Sequence, residues 1–561
     1  MRLELEDSRR LTGPNLLWDE PGAILDVWVQ GIEKEQVVIC WQKQVERILD
    51  ALHWPERTAY RKFDDGISLA ISAPMDCLYS ACEVAEYAWQ LCLQEFKAEP
   101  APDWDETIQR IRTELAEERN PALINIMQQA QQHNVTCVSD DDFCSLGMGS
   151  NVDVIEIKQL PKTEAINWRK YHNVPLAFIT GTNGKSTSVR LAAEIAKAAQ
   201  MRAGVTSTDF IRVGDDIIDT GDYSGPGGAR MLIRDKRTEI AFLEVARGGI
   251  LRRGLPVPRV DAGLITNVAA DHLGQYGINT VEELAEAKFV IAKGIAKSGT
   301  LVLNADNELV VKQGSKLDCH ICWYSENKNQ PQVKQHRESK QPAVYLDEDT
   351  FIYFNGESEQ EICTINDVPI TFAGTARHNI QNALGVIGLC FALGIDQTAI
   401  AQGLRAFGKR PEDNPGRGNL YNHRGGKIIV DFAHNEHSMR AVIAMAKKLP
   451  AQQRIVMFSH AGDRSDTEMQ QLTNAVADLQ ADVYIPAEVS RYLRGREPMQ
   501  VPALSKTFLL DAGIDASKIE LAESPLEGCE KALTLMQQGA MVLLFTLDQR
   551  AEVQALIERT T

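Results

Sequence analysis

The chain lacks any apolar run approaching the ~18 residues that a membrane-crossing helix needs, so no span is expected. It lacks basic excess as well: 59 Lys and Arg against 77 Asp and Glu leave a formal charge of -18, which would repel the phosphates of a nucleic acid. The opening Met1-Arg-Leu-Glu-Leu-Glu-Asp7 has acids where a signal peptide needs a basic start and an apolar run, so a cytoplasmic protein is expected. Paired cysteines are missing too. The 11 cysteines are scattered singly apart from Cys319-His-Ile-Cys322, and without a second Cys or His pair these read as loop or core thiols of a reducing compartment. No internal repeat is visible, although two α/β units in tandem could mimic one.

What is present is an ordinary globular composition, 44% hydrophobic and 24% charged over 561 residues. That length exceeds one core and implies roughly three or four domains. One stretch organises the rest: Val174-Pro-Leu-Ala-Phe-Ile-Thr-Gly-Thr-Asn-Gly-Lys-Ser-Thr-Ser-Val189. It reads as a strand to Thr180, a glycine-bracketed turn from Gly181 to Gly184, and a helix opening with Lys185-Ser-Thr187. Glycines let backbone N–H groups converge on phosphate oxygens, and a helix start adds partial positive charge. Lys185 would reach the outer phosphates and the Ser186 hydroxyl would hold Mg²⁺. The loop is short: only Thr182 and Asn183 separate the two glycines, where the general phosphate-loop pattern has four residues.

Before this stretch, Asp76 to Phe96 reads as a helix, Ala98 to Asp105 as a linker, and Thr107 to Gln132 as one long helix with a solvated charged face. Ser145-Leu-Gly-Met-Gly-Ser-Asn151 reads as a plain turn, because no Lys follows its glycines. After it, strands and helices alternate. Glu239 to Val245 and Ala262 to Val268 are strands buried on both faces of a parallel sheet, and Leu301 to Asp306 reads as the last of that sheet. Ser325 to Gln341 is polar and reads as an exposed loop or hairpin tip, Ala376 to Leu393 as an amphipathic helix, and Arg410 to Gly416 as a domain boundary dense in turn formers. A second α/β unit follows, with strands at Lys427 to Phe432, Arg454 to Ser459, Val483 to Pro486 and Met541 to Thr546.

Functional residues of parallel sheets collect at the carboxyl ends of strands, which puts Glu244, Asn267, Asp271 and His272 beside the phosphate loop and Asp431 at a second ligand-facing end. Ser186 and Glu244 would supply one Mg²⁺ and His272 a second. Singly, each has a plainer reading: Glu244 paired with Arg247, His272 with Asp271. Lys288, in Glu283-Leu-Ala-Glu-Ala-Lys-Phe-Val-Ile291, reads by its acidic neighbours as a surface salt-bridging lysine.

Taken together, the motifs resemble the Mur ligase family of ATP-dependent amide ligases. Gly181 to Ser186 matches its glycine loop, Asn267 to His272 its Asn-x-x-x-Asp-His element, His378-Asn379 with Asn382 its His-Asn element, and Asp431 to Asn435 its Asp-aromatic-Ala-His-Asn element. A narrower resemblance is to the Mur-like part of the cyanophycin synthetases, carried by Thr206-Ser-Thr-Asp209, Gly221-Asp-Tyr-Ser-Gly-Pro226, Glu244 to Arg252, Val268 to Gly274, Asn414-Pro-Gly-Arg417 and the opening Arg10-Leu-Thr-Gly-Pro-Asn15. Those synthetases carry an ATP-grasp domain where this chain has only about 70 residues, Pro100 to Lys170.

The resemblance implies an α/β architecture: a smaller α+β N-terminal domain with linker (1–165), a central ATP-binding domain on a parallel sheet (166–412) and a Rossmann-like C-terminal domain (413–561). It implies ATP and Mg²⁺ as cofactors, with Gly181, Thr182, Asn183, Gly184, Lys185, Ser186 and Thr187 on the triphosphate, Asn379 on adenine, and Arg417 and Asp431 on phosphate and ribose. Ser186, Glu244, His272 and Lys288 would serve the metals, Lys288 matching the family lysine that is often carbamylated. Lys185, Glu244, His272 and Lys288 form the catalytic set. The expected reaction joins an amino acid to a carboxylate of an acidic amino acid or peptide. A peptidoglycan-precursor or folate-type ligase, or a silent ATP-binding scaffold, are the alternatives. Ile485-Pro-Ala-Glu-Val489 departs from the Lys-Glu-Asp run of the family, which leaves the amine open. A homodimer or homotetramer is also implied.

Overall fold

The computed structural model describes residues 1–560. Its first unit is an antiparallel sheet of four strands in the order Arg2–Leu11, Gly22–Gln30, Gly66–Ser72, Thr58–Phe63. Helices Lys34–Leu52 and Leu78–Lys97 cover it, with Trp41 and Trp89 buried between them and the Trp41 indole N–H donating to Ala85 O at 3.1 Å. Helix Trp104–Glu118 adds Ile108, Ile111 and Leu115 to the same core. The expected linker at 98–105 is therefore a bend within this unit. The expected long helix also divides in two. Pro121 opens a second helix, Pro121–Gln132, and Asn120 accepts from Leu123 N at 3.1 Å, so the Asn-Pro pair ends one helix and caps the next. A three-stranded sheet, Cys137–Ser139, Phe143–Leu146 and Asp153–Glu156, leads to the central unit.

The central sheet has eleven strands, in the order Asp216–Thr220, Phe210–Val213, Ala203–Thr206, Ile240–Glu244, Leu176–Thr180, Val260–Ile265, Ile295–Asn304, His320–Ser325, Ala343–Asp347, Thr350–Phe354, Glu359–Thr364. From Ala203–Thr206 to Ala343–Asp347 all neighbours run parallel, and antiparallel hairpins close both edges. The strand expected to be last, now Ile295–Asn304, is thus followed by four more. The polar stretch read as a loop contains helix Pro331–Glu338, which crosses between two parallel strands. Val333 is its only buried residue, so it shows no readable apolar stripe. Helices Lys185–Ala198 and Arg377–Ala392 pack together on one face of the sheet.

The last unit is a five-stranded sheet in the order Asn419–His423, Gly426–Asp431, Met541–Phe545, Arg454–Phe458, Val483–Pro486. Four strands are parallel, and Asn419–His423, a polar edge strand not anticipated from the sequence, pairs antiparallel with Gly426–Asp431. Among the described residues no helix is long and apolar enough to cross a membrane.

Candidate functional site

The loop after Thr180 is shaped by two glycines in left-handed backbone. Gly181 has φ +148° and Gly184 φ +87°, and a Cβ at either would collide, with Thr266 Oγ1 or with Asn382 Oδ1. Neighbouring strand ends hold the loop. Thr182 N donates to Asn267 O at 2.9 Å, Asn183 N to Asn267 Oδ1 at 3.0 Å, and Thr182 Oγ1 to Ala269 O at 3.0 Å. Thr266 Oγ1 and Asn267 Nδ2 both donate to Asn183 O, at 2.6 and 3.1 Å. No side chain caps the helix that begins at Lys185, so its first amides face the loop without an internal partner. Lys185 Nζ folds back and donates to Thr182 O at 3.0 Å. The arrangement is an anion cradle.

Beside it lies a carboxylate that is 1% exposed. Glu244 accepts from Ser186 Oγ at 3.2 Å and from Thr208 N at 3.4 Å. It does not pair with Arg247, whose guanidinium donates instead to His272 O and Gln275 Oε1, both at 2.7 Å. Across the loop, Asp271, His272 and His434 bring their ligand atoms within 4.8 Å of one another. Burial would raise the Asp271 carboxyl, but His434, His272, Arg464 and Lys185 outweigh it and hold the group below its ordinary value. One Asp271 oxygen, Oδ1, is buried without a hydrogen-bond partner. Burial lowers both imidazoles, His434 to about 4. His434 Nδ1 lies 3.0 Å from Phe432 O, which places its proton there and leaves Nε2 free to accept.

Lys288 corrects the reading from its neighbours. It is 4% exposed, forms no salt bridge among the described residues, and donates from Nζ to Gly181 O at 2.9 Å. Its helix, Val281–Phe289, turns that residue inward while Thr280 and Glu283 form a capping box at the other end. Burial first, then the charges of Lys185 and Arg247, push the amine well below its ordinary value, and Asp271 opposes them only in part.

Facing the loop is a cleft of about 690 Å³ between the central and last units, lined by Asn183, Gly184, Asn379, Arg417, Asp431 and His434 among others. Thr187 lines it too, its Oγ1 accepting from Asn414 Nδ2 at 3.2 Å. Asn379 is fixed between its own helix and the turn before it: Nδ2 donates to Ile370 O at 2.9 Å and Oδ1 accepts from Asn382 Nδ2 at 3.2 Å. Burial raises the Asp431 carboxyl to about 6, against Ala433 N and Arg417. All the residues singled out from the sequence therefore meet in one region.

Others there were not singled out. Asn435 and Asn183 form a reciprocal amide pair at 2.9 and 3.2 Å, and Asn183 Nδ2 also lies 3.0 Å from His437 Nδ1. Asp209 gathers Arg190, Arg417 and Arg550. Asp209 and Asn435 lie inside the motifs that carry the family resemblance, whereas Arg190, His437 and Arg550 have no local sequence signal. In the departing stretch, Glu488 is buried and accepts from Met499 N.

Residues 179–390 match the Mur ligase middle domain and residues 416–546 the glutamate ligase domain of Mur ligases. The chain belongs to the Mur ligase family. Members of this family are ATP-dependent amide-bond ligases. This Mur ligase is 33% identical over 372 residues to the cyanophycin synthetase of Geminocystis herdmanii, a match covering 66% of this chain and 42% of that protein. The chain thus spans well under half the length of that relative. It is also 26% identical over 349 residues to the UDP-N-acetylmuramoyl-L-alanyl-D-glutamate--2,6-diaminopimelate ligase of Gloeobacter violaceus, covering 59% and 66% of the two chains. Among solved structures, E. coli FolC in complex with DHPP and ADP shares the fold, with a TM-score of 0.52 at 17% identity over 69% of this chain and 89% of that one.

Proposed function

We propose that this Mur ligase uses ATP to join the amino group of an amino acid to a carboxylate of an acidic amino-acid or peptide substrate. The observation that carries the reading is the convergence of three groups from four strand ends: the uncapped glycine cradle with Lys185, the Ser186–Glu244 pair, and the Asp271–His272–His434 group. These residues fit a nucleotide and a hard divalent ion. Gly181 and Gly184 leave no room for a Cβ, the helix start offers free amides, and the buried Asp271 Oδ1 makes no hydrogen bond, its nearest cation being Arg464 at 3.6 Å.

Lys185 and the amides after Gly184 would hold the outer phosphates, and Ser186 and Glu244 one Mg²⁺. His272, with Lys288 if its amine is carbamylated, would hold a second. Bound Mg²⁺ would neutralise phosphate charge. Asn379 would meet adenine, Asp431 the ribose and Arg417 a phosphate. A substrate carboxylate oxygen then attacks the γ-phosphorus, ADP leaves, and an acyl phosphate forms. The amine nitrogen attacks the acyl carbon, phosphate departs, and a C–N amide bond remains. The protein contributes position and compensating charge, and closure of the last unit keeps water from the acyl phosphate.

Similarity to cyanophycin synthetases supports an Asp-Arg type isopeptide as product, and assembly as a homodimer or homotetramer. With no ATP-grasp-sized insertion, this chain would have one ligase site. The test incubates purified protein with ATP, Mg²⁺ and pools of amino acids. Phosphate release that depends on an acid and an amine, with an amide product by mass spectrometry, is expected. Tight ATP binding without turnover would contradict the reading.

A further inference from the structure

Beside the phosphate-loop helix, one carboxylate meets three guanidinium groups from three separate elements. Asp209 pairs with Arg190 at 2.5 Å, Arg417 at 3.2 Å and Arg550 at 3.2 Å. Arg190 belongs to helix Lys185–Ala198, Arg417 to the segment entering the last sheet, and Arg550 opens the final helix, Arg550–Thr560. Arg417 and Arg550 also lie over the Phe432 ring, 5.2 and 5.0 Å from its centre. Asn414 adds a strut, accepting from Arg190 Nη1 at 3.2 Å while donating to Thr187 Oγ1 at 3.2 Å. Burial works against ionisation of Asp209, yet the three arginines prevail and hold its carboxyl far below the ordinary value.

The backbone around Asp209 gives this cluster a second face. Ser207 Oγ accepts from the amides of Asp209 and Phe210 at 3.1 and 3.2 Å, which makes residues 207–210 one tight turn. In that turn Thr208 N points to Glu244 at 3.4 Å and Thr208 Oγ1 lies 3.4 Å from Ser186 Oγ. Adjacent residues of the turn thus meet different groups: Thr208 the Ser186–Glu244 pair, and Asp209 the arginines that reach it from the last unit.

We propose that Asp209 is a positioning residue that couples docking of the last unit to the Ser186–Glu244 pair, by holding Arg417 and Arg550 against the turn that carries Thr208. This rests on reading the cleft as the nucleotide site. The charge of Asp209 is essential to it: an amide of the same shape leaves one buried and two partly buried cations facing one another, and they repel. Arg550, 37% exposed in its side chain, acts from the outside and can be changed without disturbing the loop.

Two measurements test it together. Small-angle scattering of the nucleotide-free protein should show Asp209→Asn and Arg550→Ala with a larger radius of gyration than wild type and Arg550→Lys close to wild type; the melting temperature should hold in Arg550→Ala and fall in Asp209→Asn, which also leaves the buried Arg190 without its counter-charge. With ATP and substrates, the KM for ATP should rise in both opened variants, with kcat also reduced on the order of tenfold in Asp209→Asn, because displaced groups lose alignment. Variants as compact and as active as wild type would overturn the proposal, as would a lower melting temperature with no change in radius. Calorimetry on the wild type separates the underlying reading: an opened Asp209→Asn variant in a protein that binds no nucleotide would remove the nucleotide site, and the coupling with it.

Discussion

The phosphate loop and the seam opposite it serve one cleft but are held in different ways. The loop is fixed within a single sheet: glycine backbone, Asn267, Thr266 and Ala269 restrain it through covalent geometry and short bonds between adjacent strands. The seam is made of side chains from two sheets, Asn183 with Asn435 and His437, and Asp209 with Arg417 and Arg550. The first is preorganised whatever the last unit does, whereas the second exists only when that unit is docked. On the proposed function, the charge site would be permanent and its enclosure reversible, as suits a reaction that must admit two substrates and then exclude water.

Substitutions on the loop side should cost most. Lys185→Ala is expected to lower ligase turnover by about 10²–10³-fold or more with the melting temperature unchanged, read by phosphate release and circular dichroism. Wild-type turnover would remove the loop from the account. Gly184→Ala should cost about 2 kcal/mol of stability, since the residue must keep a positive φ against Asn382; denaturant unfolding reads it, and an unshifted midpoint would show that the loop can relax. Lys288→Ala, at the rear of the loop, should lose about 10–100-fold of turnover, and short carboxylic acids in the buffer should partly restore it. Full activity would return Lys288 to a packing role. On the seam side the effect is smaller and depends on pH. Because burial places the Asp431 carboxyl at about 6, it is mostly ionised at pH 7 and mostly protonated at pH 5.5. A ribose-accepting carboxylate then weakens as pH falls, so apparent ATP affinity should drop about fourfold over that range, and Asp431→Asn should flatten the profile. An unaltered slope in that variant would assign the limb to another group.

This division also explains what could be read in advance. The loop announced itself because glycines, lysine and serine must be contiguous to form a cradle, and Glu244, Asn267 and Asp431 because strands buried on both faces read as apolar runs with a polar residue at the end. The acidic neighbours of Lys288 point to a surface salt bridge and only the family resemblance marks it as a site residue, since its inward turn depends on which side of helix Val281–Phe289 meets the sheet. The seam was mostly silent. Arg550 lies more than 340 positions from Asp209, and nothing local to Asp548-Gln-Arg550 points to a partner. Of the four strands beyond Ile295–Asn304, only Glu359–Thr364 is polar enough to pass for a loop; His320–Ser325, Ala343–Asp347 and Thr350–Phe354 are short apolar runs, and what hides their membership of the sheet is the crossover helix Pro331–Glu338, which buries only Val333.

The central claim is that a nucleotide's terminal phosphate rests on the loop after Thr180. A crystal structure with Mg²⁺ and a non-hydrolysable ATP analogue tests it most directly. Terminal phosphate oxygens about 3 Å from the backbone amides of Lys185 to Thr187 and from Lys185 Nζ, with Glu244 and His272 facing the same group, are predicted. A nucleotide bound elsewhere, with the loop bare at saturating analogue, would contradict it.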